Sequence, residues 1–152
     1  MGRDEMTAAE GDRSAWLVLD THTLLWMVEA HPRLGAETTK ALNRAAREDR
    51  IAVSAITPWE IALLVSKKRI DVHRDPLEWV SAALLLPGVN LTPLEPEIAV
   101  ASTRLPFDMH PDPADRILVA TARQLGATLV TADRALLALS KEGHFRGMDA
   151  GA

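Results

Sequence analysis

Short apolar runs alternate with longer segments of helical spacing along most of the chain. Residues 15–19 (AWLVL), 51–55 (IAVSA), 89–94 (VNLTPL) and 127–131 (ATLVT) are each too short for a stable helix and are apolar on both faces. That pattern predicts buried strands. Between them, 21–30 (THTLLWMVEA), 36–50, 57–69 (TPWEIALLVSKKR), 75–86 (DPLEWVSAALLL), 95–105 (EPEIAVASTRL), 112–126 (DPADRILVATARQLG) and 132–141 (ADRALLALSK) read as helices. In 36–50 the apolar positions are Ala41, Leu42, Ala45 and Ala46, one face of a helix. Strands that alternate with helices predict a mainly parallel sheet covered on both sides. The final stretch, HFRGMDAGA, lacks the apolar run of a closing strand, so four or five strands are expected. No linker divides the chain. One domain is expected over residues 15–147, with a flexible tail at 1–14 and a flexible end at 148–152.

Composition narrows the chemistry. The 152 residues are 47% hydrophobic and 25% charged, enough for one domain with a real core. A net charge of −4 argues against a protein that coats nucleic acid by charge alone. It leaves room for an enzyme that keeps its acids in a metal site. Cysteine is absent, which removes disulfides, thiolate nucleophiles and cysteine-bound zinc. Residues 1–14 lack the apolar core of a signal peptide. The longest uncharged run, Trp79 to Leu94, is broken by Pro87 and Gly88, so no membrane span is read and a cytoplasmic location is expected. No GxSxG, glycine-rich phosphate loop or HExxH motif occurs. The five histidines read as exposed or core-edge residues, although His22 and His110 lie near the acids discussed next.

In open parallel sheets, ligands bind beyond the carboxyl ends of the strands. Asp20 directly follows the first strand. Glu60 begins the helix after the second. Asp133 begins the helix after the fourth, and Asp115 begins the preceding helix, 18 residues earlier. Each has an ordinary alternative. Helix starts attract acids, because free N–H groups and the helix dipole favour negative charge there. TPWE reads as a capping box with Thr57 as N-cap, and the DP pairs at Asp75 and Asp112 read as caps followed by Pro at N1. Thr131 reads as a cap that leaves the Asp133 carboxylate free. Asp20 gains nothing from packing after a buried strand, and desolvating it is costly without a partner. Four acids that converge would repel one another, and a cation would relieve that repulsion. Oxygen ligation without cysteine suits Mg²⁺ or Mn²⁺.

The ordered set LVLDTHTLLW, VSAITPWEIALLVSKKR, HPDPADRILVATAR and LVTADRAL resembles PIN-domain proteins, and among them the VapC-type toxins of bacterial toxin–antitoxin pairs. The resemblance runs from about Trp16 to Leu139. It implies a three-layer α/β/α fold and a ribonuclease dependent on Mg²⁺ or Mn²⁺. Asp20, Glu60, Asp115 and Asp133 match the four acids that bind the metal and serve catalysis. Thr131 matches a supporting hydroxyl, and Asp112 an accessory acid. The resemblance further implies an RNA substrate, inhibition by a VapB-type antitoxin, and a homodimer. Ala114 departs from the pattern, standing where relatives often carry a bulky aromatic.

Two other classes fit less well. An aspartyl-phosphate phosphotransferase would use Asp20 as nucleophile, but such enzymes carry a second Asp two residues on, where this chain has His22. A non-catalytic scaffold of the same fold would have no need to retain all four acids.

Overall fold

The computed structural model describes residues 15–152; the tail expected at 1–14 lies outside the described residues. Five strands form one parallel sheet: β1 (Leu17–Leu19), β2 (Ile51–Ser54), β3 (Val89–Thr92), β4 (Thr128–Thr131) and β5 (Arg146–Asp149), in the spatial order β3-β2-β1-β4-β5. Seven helices are present among the described residues: α1 (Thr21–Glu29), α2 (Ala36–Arg47), α3 (Ile56–Ser66), α4 (Pro76–Leu84), α5 (Pro96–Thr103), α6 (Pro113–Leu125) and α7 (Arg134–Lys141). The three-layer α/β/α arrangement expected from the sequence is the one observed. No helix among the described residues is long and apolar enough to cross a membrane.

Side-chain alternation along the strands builds two cores, one on each face of the sheet. Leu17, Leu19, Ile51, Val53 and Val130 point to one side, where Leu24 and Leu25 of α1, Leu42 and Ala45 of α2, and Trp79, Val80 and Ala83 of α4 cover them. Val18, Ala52 and Leu129 point to the other, against Leu118, Val119 and Ala122 of α6 and Leu136 of α7. Both faces of β1 and β2 are therefore buried, which is why these strands are continuously apolar. Ala114 is buried at the start of α6.

From β1 the chain winds outward through β2 to β3, then returns to the other side of β1 for β4 and β5. The reversal leaves a crevice between the carboxyl ends of β1 and β4, the place where such sheets bind ligands.

Two expectations are corrected at the chain's end and at α3. Residues 148–152 are not a flexible end. Met148 and Asp149 belong to β5, and Ala150 is fully buried. The carbonyls of Ala150 and Ala152 accept from the amides of Gly35 (2.9 Å) and Thr38 (3.1 Å), free donors at the start of α2. A Cβ on Gly35 would lie 1.9 Å from the Ala152 carbonyl oxygen, so only glycine permits this approach. The domain boundary expected at 147 thus falls inside a strand. Thr57, in turn, is not an N-cap. The chain passes from β2 almost directly into α3, and Ser54 Oγ accepts from the amide of Ile56 (3.1 Å). Thr57 sits in the first turn, fully buried, its hydroxyl without a protein partner.

Gly88 makes the turn into β3 with φ of 79°, and a Cβ there would lie 2.2 Å from the carbonyl oxygen of Ala46 in α2. Backbone cannot yield as a flexible side chain would, and the left-handed conformation adds its own cost. Gly88→Ala should destabilise the domain by about 1–3 kcal/mol, read as a lower urea midpoint. An unchanged midpoint would mean that α2 and the turn can separate freely.

Candidate active site

Four acids and one cleft meet at the crevice between β1 and β4. A cavity of ≈ 340 Å³ is lined by Asp20, Thr21, His22, Trp26, Arg33, Glu60, Asp115, Ala132 and Asp133. All four acids expected from the sequence are in it, and each arrives on a different element.

Asp20 leaves β1 and starts α1. Its Oδ1 accepts from the amide of Thr23 at 2.8 Å, and its Oδ2 accepts a short hydrogen bond from the Thr131 hydroxyl at the end of β4. Its own amide donates to the carbonyl of Val130 (3.1 Å), and that carbonyl also accepts from Thr23 Oγ1 (2.9 Å). The cap of α1 and the seam between β1 and β4 therefore share one set of bonds. Glu60 projects from α3, where Thr21 Oγ1 donates a short hydrogen bond to its Oε1. Asp133 is itself the cap of α7, accepting from the amide of Leu136 at 3.0 Å. Thr131 does not cap that helix, contrary to expectation. Its hydroxyl oxygen accepts from the Asp133 amide (3.0 Å) while its proton goes to Asp20, so it joins two acids. Asp112 caps α6 as expected, accepting from the amide of Asp115 at 3.0 Å. It is exposed and does not line the cleft.

The electrostatics are those of crowded anions. Burial, together with the nearby charges of Asp112, Glu60, Asp133 and Asp20, pushes Asp115 up to about 7. Burial also raises Glu60, against the hydrogen bond from Thr21, which favours its charged form; the charges of Asp112 and Asp20 push it further up. Among the described residues, Arg33 is the only Lys or Arg lining the cleft. Its guanidinium lies 5.1 Å from the Trp26 ring centroid, a cation–π contact. The other basic residues near the acids in sequence turn elsewhere. Arg116 donates to the carbonyls of Ser102 (2.8 Å) and Met109 (3.3 Å), and Arg134 pairs with Asp149 at 3.2 Å. Lys67 to Arg69 do not line the cleft.

Several residues escaped the sequence reading. Thr21 adjoins Asp20, and nothing local reveals that its hydroxyl turns to Glu60. Trp26 lies four positions after His22 on α1, a helical spacing that places both on one face. His110, read as a bystander, brings Nε2 to 3.4 Å from Asp115 Oδ2. The donor set is rich in carboxylate oxygen and self-repelling, with Asp20, Glu60 and Asp115 half-buried and Asp133 exposed. It fits a hard divalent cation, with Asp20, Glu60, Asp115 and Asp133 as the residues that would hold it.

A family model of the PIN domain matches residues 17–142. Ribonuclease VapC22 of Mycobacterium tuberculosis (strain ATCC 25618 / H37Rv) is 34% identical over 120 residues, which cover 79% of this chain and 88% of that protein. Among solved structures, VapBC2 from Rickettsia felis bound to a promoter DNA fragment aligns with a TM-score of 0.63 at 16% identity, covering 87% of this chain and 96% of the matched chain. DNA-bound VapBC from Salmonella typhimurium aligns with a TM-score of 0.60 at 14% identity, covering 90% of this chain and 98% of the matched chain. These structures share the fold.

The crowding has a thermodynamic consequence. Folded Asp115 keeps its proton until about pH 7, whereas an unfolded aspartate loses it near about pH 4. Folding takes up a proton in that interval, so the metal-free domain loses stability from this group as pH rises from about 4 to about 7. In EDTA, Asp115→Asn should therefore melt above the wild type at about pH 8, with the gap closing towards about pH 4. A gap that does not vary with pH would mean that Asp115 is ionised throughout.

Proposed function

The chain belongs to the PIN-domain family, within its VapC branch, and on that premise we propose that it is a metal-dependent endoribonuclease, the toxin of a toxin–antitoxin pair. The observation that carries this reading is the convergence of Asp20, Glu60, Asp115 and Asp133, from four separate segments, on one cleft at the sheet's switch point. The 34% identity to a ribonuclease supports RNA as the substrate.

Bound Mg²⁺ or Mn²⁺ would neutralise the four carboxylates, polarise a phosphodiester and lower the pKa of the attacking water. The chain's own residues supply the rest. Asp20 is held at both oxygens, by the Thr23 amide and the Thr131 hydroxyl, which fixes its direction. Glu60 has Oε1 bonded to Thr21, while its second oxygen has no hydrogen-bond partner among the described residues; that oxygen would take the proton from water. Arg33, stacked on Trp26 at the rim, would receive a substrate phosphate.

Exposed apolar side chains support a partner. Trp59 on α3 is 51% exposed, and Leu77 on the adjoining α4 is 72% exposed. A VapB-type antitoxin, a homodimer, or both would cover such surface. A cytoplasmic site of action follows from the same reading.

Purified full-length protein, freed of any antitoxin, should cleave RNA with Mg²⁺ or Mn²⁺ and stop in EDTA. Asp20→Asn should lower the rate at least about a hundredfold. Equal cleavage by wild type and Asp20→Asn would reject the nuclease reading, and an inert wild type that binds its antitoxin would leave a scaffold. Arg33→Ala should raise KM with a smaller effect on kcat, and should reduce the salt dependence of RNA binding by about one phosphate contact. An unchanged salt slope would remove Arg33 from the substrate path.

A further inference from the structure

We infer that His110 is a nitrogen ligand to the divalent cation held between Asp115 and Asp133, so that this side of the site favours Mn²⁺ over Mg²⁺. The inference rests on the metal-dependent reading above and concerns a residue outside the four acids. His110 lies in the connection between α5 and α6. One ligand atom from each of His110, Asp115 and Asp133 falls within 4.8 Å of the others.

The spacing argues for a shared ion over a direct bond. His110 Nε2 is 3.4 Å from Asp115 Oδ2. A charge-assisted hydrogen bond would close to about 2.7–2.9 Å. Two atoms bound about 2.1 Å from one octahedral ion lie about 3.0 Å apart when adjacent and about 4.2 Å apart when opposite. The 3.4 Å between His110 Nε2 and Asp115 Oδ2 lies between those two values.

The connection that carries His110 is held in place. Arg116 Nη1 donates to the carbonyl of Met109, the preceding residue, while its Nε holds Ser102 at the end of α5. Phe107 stacks on His144 with centroids 4.2 Å apart. On the other side, Asp112 closes the first turn of α6 through the Asp115 amide. His110 is thus fixed between two anchored points, and its partly exposed ring faces the acids. Mg²⁺ keeps to carboxylates and its own waters, so an imidazole in the ligand set disfavours it relative to Mn²⁺.

Electron spin-echo spectroscopy on the Mn²⁺-loaded full chain tests this directly. Wild type should show a nitrogen coupling from a directly bound imidazole. The coupling should persist in His22→Ala, which removes the one imidazole among the described residues that lines the cleft, and disappear in His110→Ala. By calorimetry, His110→Ala should bind Mn²⁺ about tenfold or more weakly and Mg²⁺ within about twofold of wild type, with an unchanged thermal midpoint in EDTA. Mn²⁺ binding without nitrogen coupling in wild type overturns the His110 assignment alone, as does coupling that survives in His110→Ala. A wild type that takes up neither ion overturns the metal-dependent function, and this inference with it.

Discussion

Like charges held together in a half-buried cleft are the constraint around which this molecule is organised. Asp115 is pushed up to about 7 first by burial and then by four neighbouring acids. Such a cluster would spread apart if its side chains hung from flexible backbone. Asp20, Asp115 and Asp133 instead stand at the end of a strand or the start of a helix, and Glu60 sits one turn into α3. The hydrogen bonds around them run between acids and fixed partners: Thr131 to Asp20, Thr21 to Glu60, the Thr23 amide to Asp20, the Leu136 amide to Asp133. These bonds orient the carboxylates without neutralising them, and so leave the repulsion for a cation to relieve.

Structural and chemical roles coincide at these positions. Asp20 and Asp133 are caps of α1 and α7, and both line the cleft. A cap uses one or two lone pairs of a carboxylate, and a carboxylate offers about four. The remaining pairs stay available to a ligand. Asp112 and Asp115 divide the roles differently: Asp112 takes the cap, and the well-started helix holds Asp115 over the cleft. Asp112 still acts on the site at a distance, because its charge raises both Asp115 and Glu60.

The sheet edge shows how a boundary can mislead. β5 pairs in parallel with β4, yet Arg146 and Gly147 are exposed. An edge strand with little apolar surface carries no hydrophobic run for a reader to find. It is held by main-chain bonding to β4, by the carbonyls of residues 150 and 152 on the start of α2, and by the packing of Met148 and Ala150 on the core. Backbone bonds of this kind are independent of side-chain identity, and what marks them in the sequence is the need for glycine at position 35 and, within β5, at position 147.

The sequence by itself determined the alternation of buried strands and helices, the three-layer class, and three acids at strand exits or helix starts; Glu60, expected at a helix start, lies one turn inside α3. Those features are local or periodic: burial on both faces makes a strand continuously apolar, and helix starts have their own grammar. Only the tertiary structure decided how the hydroxyls are spent. Thr131 bridges Asp20 and the Asp133 amide where a cap was expected, Thr21 turns to Glu60 across 39 positions of sequence, and Thr57 is left inside α3. It likewise brought His110, Trp26 and Arg33 to the acids. A hydroxyl or an imidazole can serve many partners equally well, and the choice among them depends on distances that no local pattern encodes.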